Sequence, residues 1–125
     1  MNLNQVTIPS TDVEKATEFY VTLGLKLIVD ALPNYVRFEC PEGESTLSVH
    51  KVDSIRKGAT ITIYFEIENL DRTVADLEEK GIKFIHGAED KSWLWREAHL
   101  NDPDGNKIIL YYAGENRKNP PWRIN

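Results

Sequence analysis

"GLKLI" at residues 24–28 returns 57 residues later as "GIKFI" at 81–85. The same offset lays "QVTI" (5–8) over "TIYF" (62–65) and "DVEKATEFYVTL" (12–23) over "NLDRTVADLEEK" (69–80). Repeats of this length signal a supersecondary unit used twice. Each copy starts with an alternating stretch, continues through a 3.6-periodic one and ends at glycine, so it reads as strand–helix–strand. In the first helix Val13, Ala16, Tyr20 and Leu23 form the apolar stripe. Thr11 and Glu14 have capping-box spacing, and Gly24 suits a left-handed C-cap. In the second, Asn69 is the expected cap, Leu70, Val74 and Leu77 the stripe, and Gly81 the stop.

Working outward, further stretches alternate with the period of two expected of strands. "TITIYFEI" (60–67) sets Ile61, Ile63, Phe65 and Ile67 against Thr60, Thr62, Tyr64 and Glu66. "YVRFEC" (35–40) sets Val36, Phe38 and Cys40 against Tyr35, Arg37 and Glu39, so Cys40 is expected as a core thiol. "TLSVHK" (46–51) opposes Leu47 and Val49 to Ser48 and His50, and "REAHLN" (96–101) opposes Ala98 and Leu100 to Glu97 and His99. "KIILYY" (107–112) sets Ile108, Leu110 and Tyr112 against Ile109 and Tyr111. Each half therefore reads β-α-β-β-β, in an α+β fold. Every sheet buries an aliphatic face under its helix and turns a polar, aromatic face elsewhere. Two such sheets can enclose a cleft between their second faces. A ferredoxin-like sandwich with a wet or dimerised second face fits the same pattern.

The bulk numbers limit the function. A chain of 125 residues with 41% hydrophobic and 28% charged residues suits one soluble domain. Module 1 spans about 1–53, module 2 about 59–113, and the tail 114–125. Fifteen basic against 20 acidic residues give a net charge of −5, which disfavours nucleic acid, because phosphate neutralisation needs a basic face. The apolar runs are far too short for a membrane span, and the N-terminus does not resemble a signal peptide. One cysteine permits no internal disulfide. A cytoplasmic location is the expectation. Pro120 and Pro121 should keep the tail irregular.

Two motifs carry a family resemblance. "TDVEKATEFYVTLGLKLI" (11–28) and "WREAHLNDPDGNKIILYY" (95–112) resemble the opening and closing motifs of the vicinal-oxygen-chelate superfamily, the glyoxalase, bleomycin-resistance and dioxygenase group. The resemblance covers roughly residues 3–113 and implies two βαβββ modules forming a cupped mixed sheet with helices outside. In the closing motif Pro103 and Asp104 suit a tight turn and Gly105 its positive φ, a scaffold role.

The resemblance also implies a divalent ion held from the first and last strands of both modules. Carried over, those positions are Gln5, Ser48, Thr62 and Ile109. Gln5 could ligate through its amide oxygen. Ser48 and Thr62 are poor ligands when neutral, and Ile109 cannot ligate. The usual site is therefore expected to be lost and no cofactor is expected. A divalent metal remains conceivable at a relocated set of His50, Glu66, Glu97 and His99, although each two-residue step moves roughly 7 Å along a strand. His50, His99 and Glu97 are also the acid–base candidates, because imidazole titrates near neutrality. His86 reads as a loop histidine.

The remaining candidates suit binding. Trp95 shares parity with Glu97 and His99, and Tyr35, Tyr64 and Tyr111 add rings and hydroxyls to the same surfaces. Trp93 and Trp95 could equally form a lid or a dimer contact. Arg37 could meet a ligand carboxylate, or pair with Glu39 or Glu66. The expected ligand-binding set is Gln5, Tyr35, Arg37, Ser48, His50, Thr62, Tyr64, Trp95, Ile109 and Tyr111. Members of the resembled family that lack the metal include proteins that bind an antibiotic at a dimer interface. The favoured expectation is therefore a homodimer that binds a small organic molecule without the usual ion. The alternative is a metal-dependent lyase or dioxygenase.

Overall fold

A computed structural model describes all 125 residues. The chain packs as two compact units, Met1–Ile61 with Asp102–Asn106, and Thr62–Asn101 with Lys107–Asn125. No helix is long and apolar enough to cross a membrane.

The first unit runs β1 (Gln5–Ser10), α1 (Val13–Leu23), β2 (Lys26–Ala31), β3 (Tyr35–Glu39) and β4 (Thr46–Lys51). Its sheet has the order β1-β4-β3-β2, with β1 parallel to β4 and the other pairs antiparallel. Alternation decides what is buried: Val36 and Phe38 on β3 and Leu47 and Val49 on β4 are core, together with Val13, Ala16 and Tyr20 of α1. Leu23, expected on that stripe, is half-buried, and Leu25 just past the helix is buried instead. The helix ends where Gly24 turns left-handed at φ 118°, donating its N–H to the Tyr20 and Val21 carbonyls.

The second unit repeats the plan with β5 (Thr62–Glu66), α2 (Leu70–Glu79), β6 (His86–Asp90), β7 (Arg96–Asn101) and β8 (Lys107–Tyr112), in sheet order β5-β8-β7-β6. α2 packs on β6, β7 and β8, with Leu70, Val74 and Leu77 buried as its stripe predicts. Ala98, Leu100, Ile108 and Leu110 are buried too. A short α3 (Glu115–Lys118) follows.

Several local expectations are corrected. Thr11 does not cap α1. Asp12 does, its side chain accepting from the Lys15 N–H at 3.1 Å, while Thr11 donates its N–H and hydroxyl to Asp104. Asn69 stands at the α2 N-cap but makes no side-chain cap bond. "GIKFI" is not a strand: β6 starts only at His86, although the Ile82 N–H bonds the Leu77 carbonyl just as the Leu25 N–H bonds the Tyr20 carbonyl in the first copy. His86 is therefore a strand residue, opposite His99. Cys40 falls just beyond β3 and is half-buried, although that burial still raises its thiol pKa. Tyr112 is exposed despite sharing parity with Ile108 and Leu110. The tail forms a helical turn before the two prolines stop it.

Candidate functional site

The second face of the β5-β8-β7-β6 sheet is built by register. His86 pairs with His99, His99 with Ile109, and Ile109 with Tyr64, so these four side chains form one row on one face. The next row sets Glu97 beside Tyr111 and Tyr111 beside Glu66.

On this face Ile109, Tyr111 and Ala113 form a hydrophobic cluster of their own, and Trp95 packs against it. The Trp95 and Tyr111 rings stack with centroids 4.5 Å apart and 15° between planes. Tyr64 meets both edge-on, at 5.9 Å from Trp95 and 5.7 Å from Tyr111, in the T-shaped geometry that ring quadrupoles favour. Tyr64 stays 51% exposed, whereas Ile109 is only 4% exposed. The result is an apolar floor, a stacked pair and one ring open to solvent. Burial, with Glu66 adding to it, raises the Tyr111 pKa, so its hydroxyl stays protonated.

Beside the rings lies a hydrogen-bonded group. Glu97 is 2% exposed. Its Oε2 accepts from the Trp93 indole at 2.6 Å and its Oε1 from His99 Nε2 at 2.7 Å. A buried carboxylate held by two donors fixes both partners. The His99 ring packs against His86 at 4.2 Å. His86 Nδ1 donates to the Gly87 carbonyl, and Lys91 approaches its Nε2 at 3.4 Å. Trp93 and His86 were missing from the expected set. Trp93 lies before β7 begins, where alternation says nothing about direction. His86 was misplaced in a loop because the repeat predicted its strand too early.

The first unit carries a second polar surface. Arg37 Nε donates to the Tyr35 hydroxyl at 2.9 Å, so neither Glu39 nor Glu66 is its partner. The Ser48 hydroxyl, followed by Arg37, holds the Tyr35 phenol below its ordinary pKa. Ser48 is fully buried and shares a 2.6 Å hydrogen bond with Thr7. Gln5 turns its amide oxygen to the Thr46 hydroxyl, and His50 is exposed opposite Tyr35.

The parallel registers settle which candidates are neighbours. Thr7, not Gln5, stands beside Ser48, and Tyr64, not Thr62, stands beside Ile109. Chemically the carried-over positions do not fit a divalent ion: they offer a hydrocarbon, two neutral hydroxyls and an amide already engaged. Of the relocated set, Glu97 and His99 are bonded to each other within the second unit. Glu66 accepts the Ala113 and Gly114 N–H groups at 3.1 Å and lies 3.7 Å from Arg117, while both Glu97 oxygens are taken. No three His, Cys, Asp or Glu side chains come together as metal ligands would.

Two βαβββ units with this register define a glyoxalase-like fold. The sequence profile of the Glyoxalase/Bleomycin resistance protein/Dioxygenase superfamily matches residues 2–110, and the chain belongs to that family. It is 29% identical over 127 residues to the uncharacterized protein YraH of Bacillus subtilis, covering 89% of this chain and 98% of YraH. A glyoxalase/bleomycin resistance protein/dioxygenase from Nocardioides superposes with a TM-score of 0.79 at 21% identity, over all of this chain and 90% of the other. A bleomycin-binding protein solved with bleomycin superposes with a TM-score of 0.73 at 18% identity, over 90% of this chain and 98% of the other.

Proposed function

We propose that the protein binds a small, planar organic molecule on the second face of the β5-β8-β7-β6 sheet, without a divalent ion. The observation that carries this reading is the Trp95–Tyr111–Tyr64 cluster set around Ile109. An aromatic surface with one open ring and a few fixed polar groups suits a flat ligand, because stacking supplies affinity and the polar groups supply orientation. The donor chemistry at Gln5, Ser48, Thr62 and Ile109 supports a metal-free mode over a lyase or dioxygenase. The bleomycin-binding relative lends the reading support as a member of the same fold that holds a drug.

A homodimer is part of the proposal, supported by the exposed apolar side chains of Val21, Ile28 and Leu32. A reducing compartment, the cytoplasm, is supported by the single free Cys40. Light scattering on the eluting protein tests the first. The binding claim is tested by a thermal-shift screen of planar aromatic compounds and divalent metals against wild type and Trp95→Ala. A ligand at a hundred times its Kd stabilises the native state by about 2.7 kcal/mol. Aromatic compounds should raise the wild-type melting temperature and leave the variant unmoved. A response to metals alone would overturn the reading.

A further inference from the structure

His99 carries one ring nitrogen that nothing in the chain uses. Its Nε2 donates to Glu97 Oε1 at 2.7 Å, so in the neutral ring Nδ1 is the bare acceptor. That nitrogen makes no hydrogen bond, and the His99 side chain keeps 18% of its surface accessible. The carboxylate behind it is almost wholly buried and is held from the other side by the Trp93 indole, so the imidazole is fixed in tautomer and orientation. A buried carboxylate on one nitrogen makes the other a stronger acceptor. His86 differs: its Nδ1 is spent on the Gly87 carbonyl, and Lys91 donates toward its Nε2. In the same row, His99 stands beside Ile109, the apolar floor of the aromatic cluster.

We propose that the ligand of the aromatic face is a planar molecule bearing a phenolic or enolic hydroxyl, and that this hydroxyl donates to Nδ1 of His99. The inference rests on the binding reading above and adds the ligand's chemical class. The hydroxyl supplies the proton of the hydrogen bond and the imidazole supplies the lone pair. If the hydroxyl is acidic enough for the proton to cross, the electron pair stays on the ligand oxygen and the imidazolium faces Glu97. Glu97 is then a positioning residue, and Trp95 and Tyr64 hold the ring.

Umbelliferone and its methyl ether are a matched pair of probes, both flat and fluorescent, differing in the hydroxyl. Titration against wild type should show the free hydroxyl bound about tenfold tighter, the gain expected of one hydrogen bond to a strengthened acceptor. His99→Phe should bring the two probes within about twofold, with a circular-dichroism spectrum and urea slope matching wild type to show that the variant is folded. Glu97→Gln keeps the shape and removes the charge. It should lower the preference part-way, to about threefold, and it decides the matter if His99→Phe fails to fold. Equal wild-type affinity for both probes would leave the binding reading standing and overturn the role of His99. A tenfold preference that survives His99→Phe would also overturn it. If neither probe bound, both readings would fall.

Discussion

Replacing Tyr20 by phenylalanine removes one oxygen from a fully buried ring and tests what the closing motif "DPDGN" (102–106) does. The Tyr20 hydroxyl donates to Asp102 Oδ2 at 2.7 Å. Three other donors hold that carboxylate: the Asn106 side-chain amide at 2.9 Å, the Asp104 N–H at 2.9 Å and the Asn106 N–H at 2.8 Å. The phenylalanine ring would keep its contacts with Phe19 and Phe38, at centroid distances of 5.0 and 5.8 Å, so no large cavity opens. The loss is one hydrogen bond to a charged acceptor out of water, about 1.5–3 kcal/mol. For a chain of this size that is a fall in melting temperature of roughly 5–12 °C.

Urea titration with circular dichroism measures the change, and the slope should stay constant while the midpoint moves. Asp102→Asn costs more, since it turns an amide donor toward donors. In that background Tyr20→Phe should add less than about 0.5 kcal/mol, because the pair acts as a unit. There is also an alkaline signature. Burial, then Asp102, raises the Tyr20 phenol above its ordinary value. A raised native pKa gives stability that is complete below the unfolded value and is lost as pH rises above it. Wild type should therefore lose stability above roughly pH 10 along a limb that Tyr20→Phe lacks. A variant within about 0.5 kcal/mol of wild type at neutral pH, or a Tyr20 that titrates with the other tyrosines, would refute the stabilising role of the Tyr20–Asp102 bond.

Ser48→Ala removes the largest influence lowering the Tyr35 phenol, so the Tyr35 titration followed by NMR should move up toward its ordinary value. It also removes the Thr7 hydroxyl's partner, but Thr7 is exposed and water replaces it, so the stability cost in urea should stay below about 1 kcal/mol. Arg96 bonds Asp71 and Asp90, and its guanidinium holds the Asp71 carboxyl below the usual range. A depressed native pKa gives stability present above the unfolded value and lost as pH falls below it. Wild type and Asp71→Asn should therefore differ in urea midpoint at neutral pH and converge in acid. Glu66→Gln weakens the acceptor of the Ala113 and Gly114 N–H groups and the pairing with Arg117, so hydrogen exchange at those two amides should speed up several-fold while β7 amides are unchanged.

The sequence made the repeat legible because both copies keep the same punctuation: strand, amphipathic helix, glycine. Strand parity placed Val36, Phe38, Ile108 and Leu110 in the core for the same reason. Register was not legible. Alternation says which residues share a face, but not where one strand stops against its neighbour, and a parallel pair has no tight turn to fix it. The structure alone puts Thr7 beside Ser48 and Tyr64 beside Ile109. The capping-box spacing of Thr11 and Glu14 was real in sequence, yet the helix starts one residue later with Asp12 as its cap, and Thr11 donates to Asp104, 93 residues away. The Tyr20–Asp102 bond spans 82 residues and no local pattern announces it.

The two polar faces of this chain follow one economy of donors. At three of the four positions that the family resemblance carries over, the structure engages the neutral group elsewhere or has hydrocarbon. Ser48 is tied to Thr7, Gln5 to Thr46, and Ile109 serves as floor for the Trp95 and Tyr111 rings. In the second unit two carboxylates are spent on holding shape: Glu66 on the start of the tail, and Glu97 on Trp93 and His99. After that accounting, Nδ1 of His99 remains an acceptor without a donor, next to an aromatic surface with one open ring. Under the proposal above, that acceptor is what would select a flat molecule by a single hydroxyl.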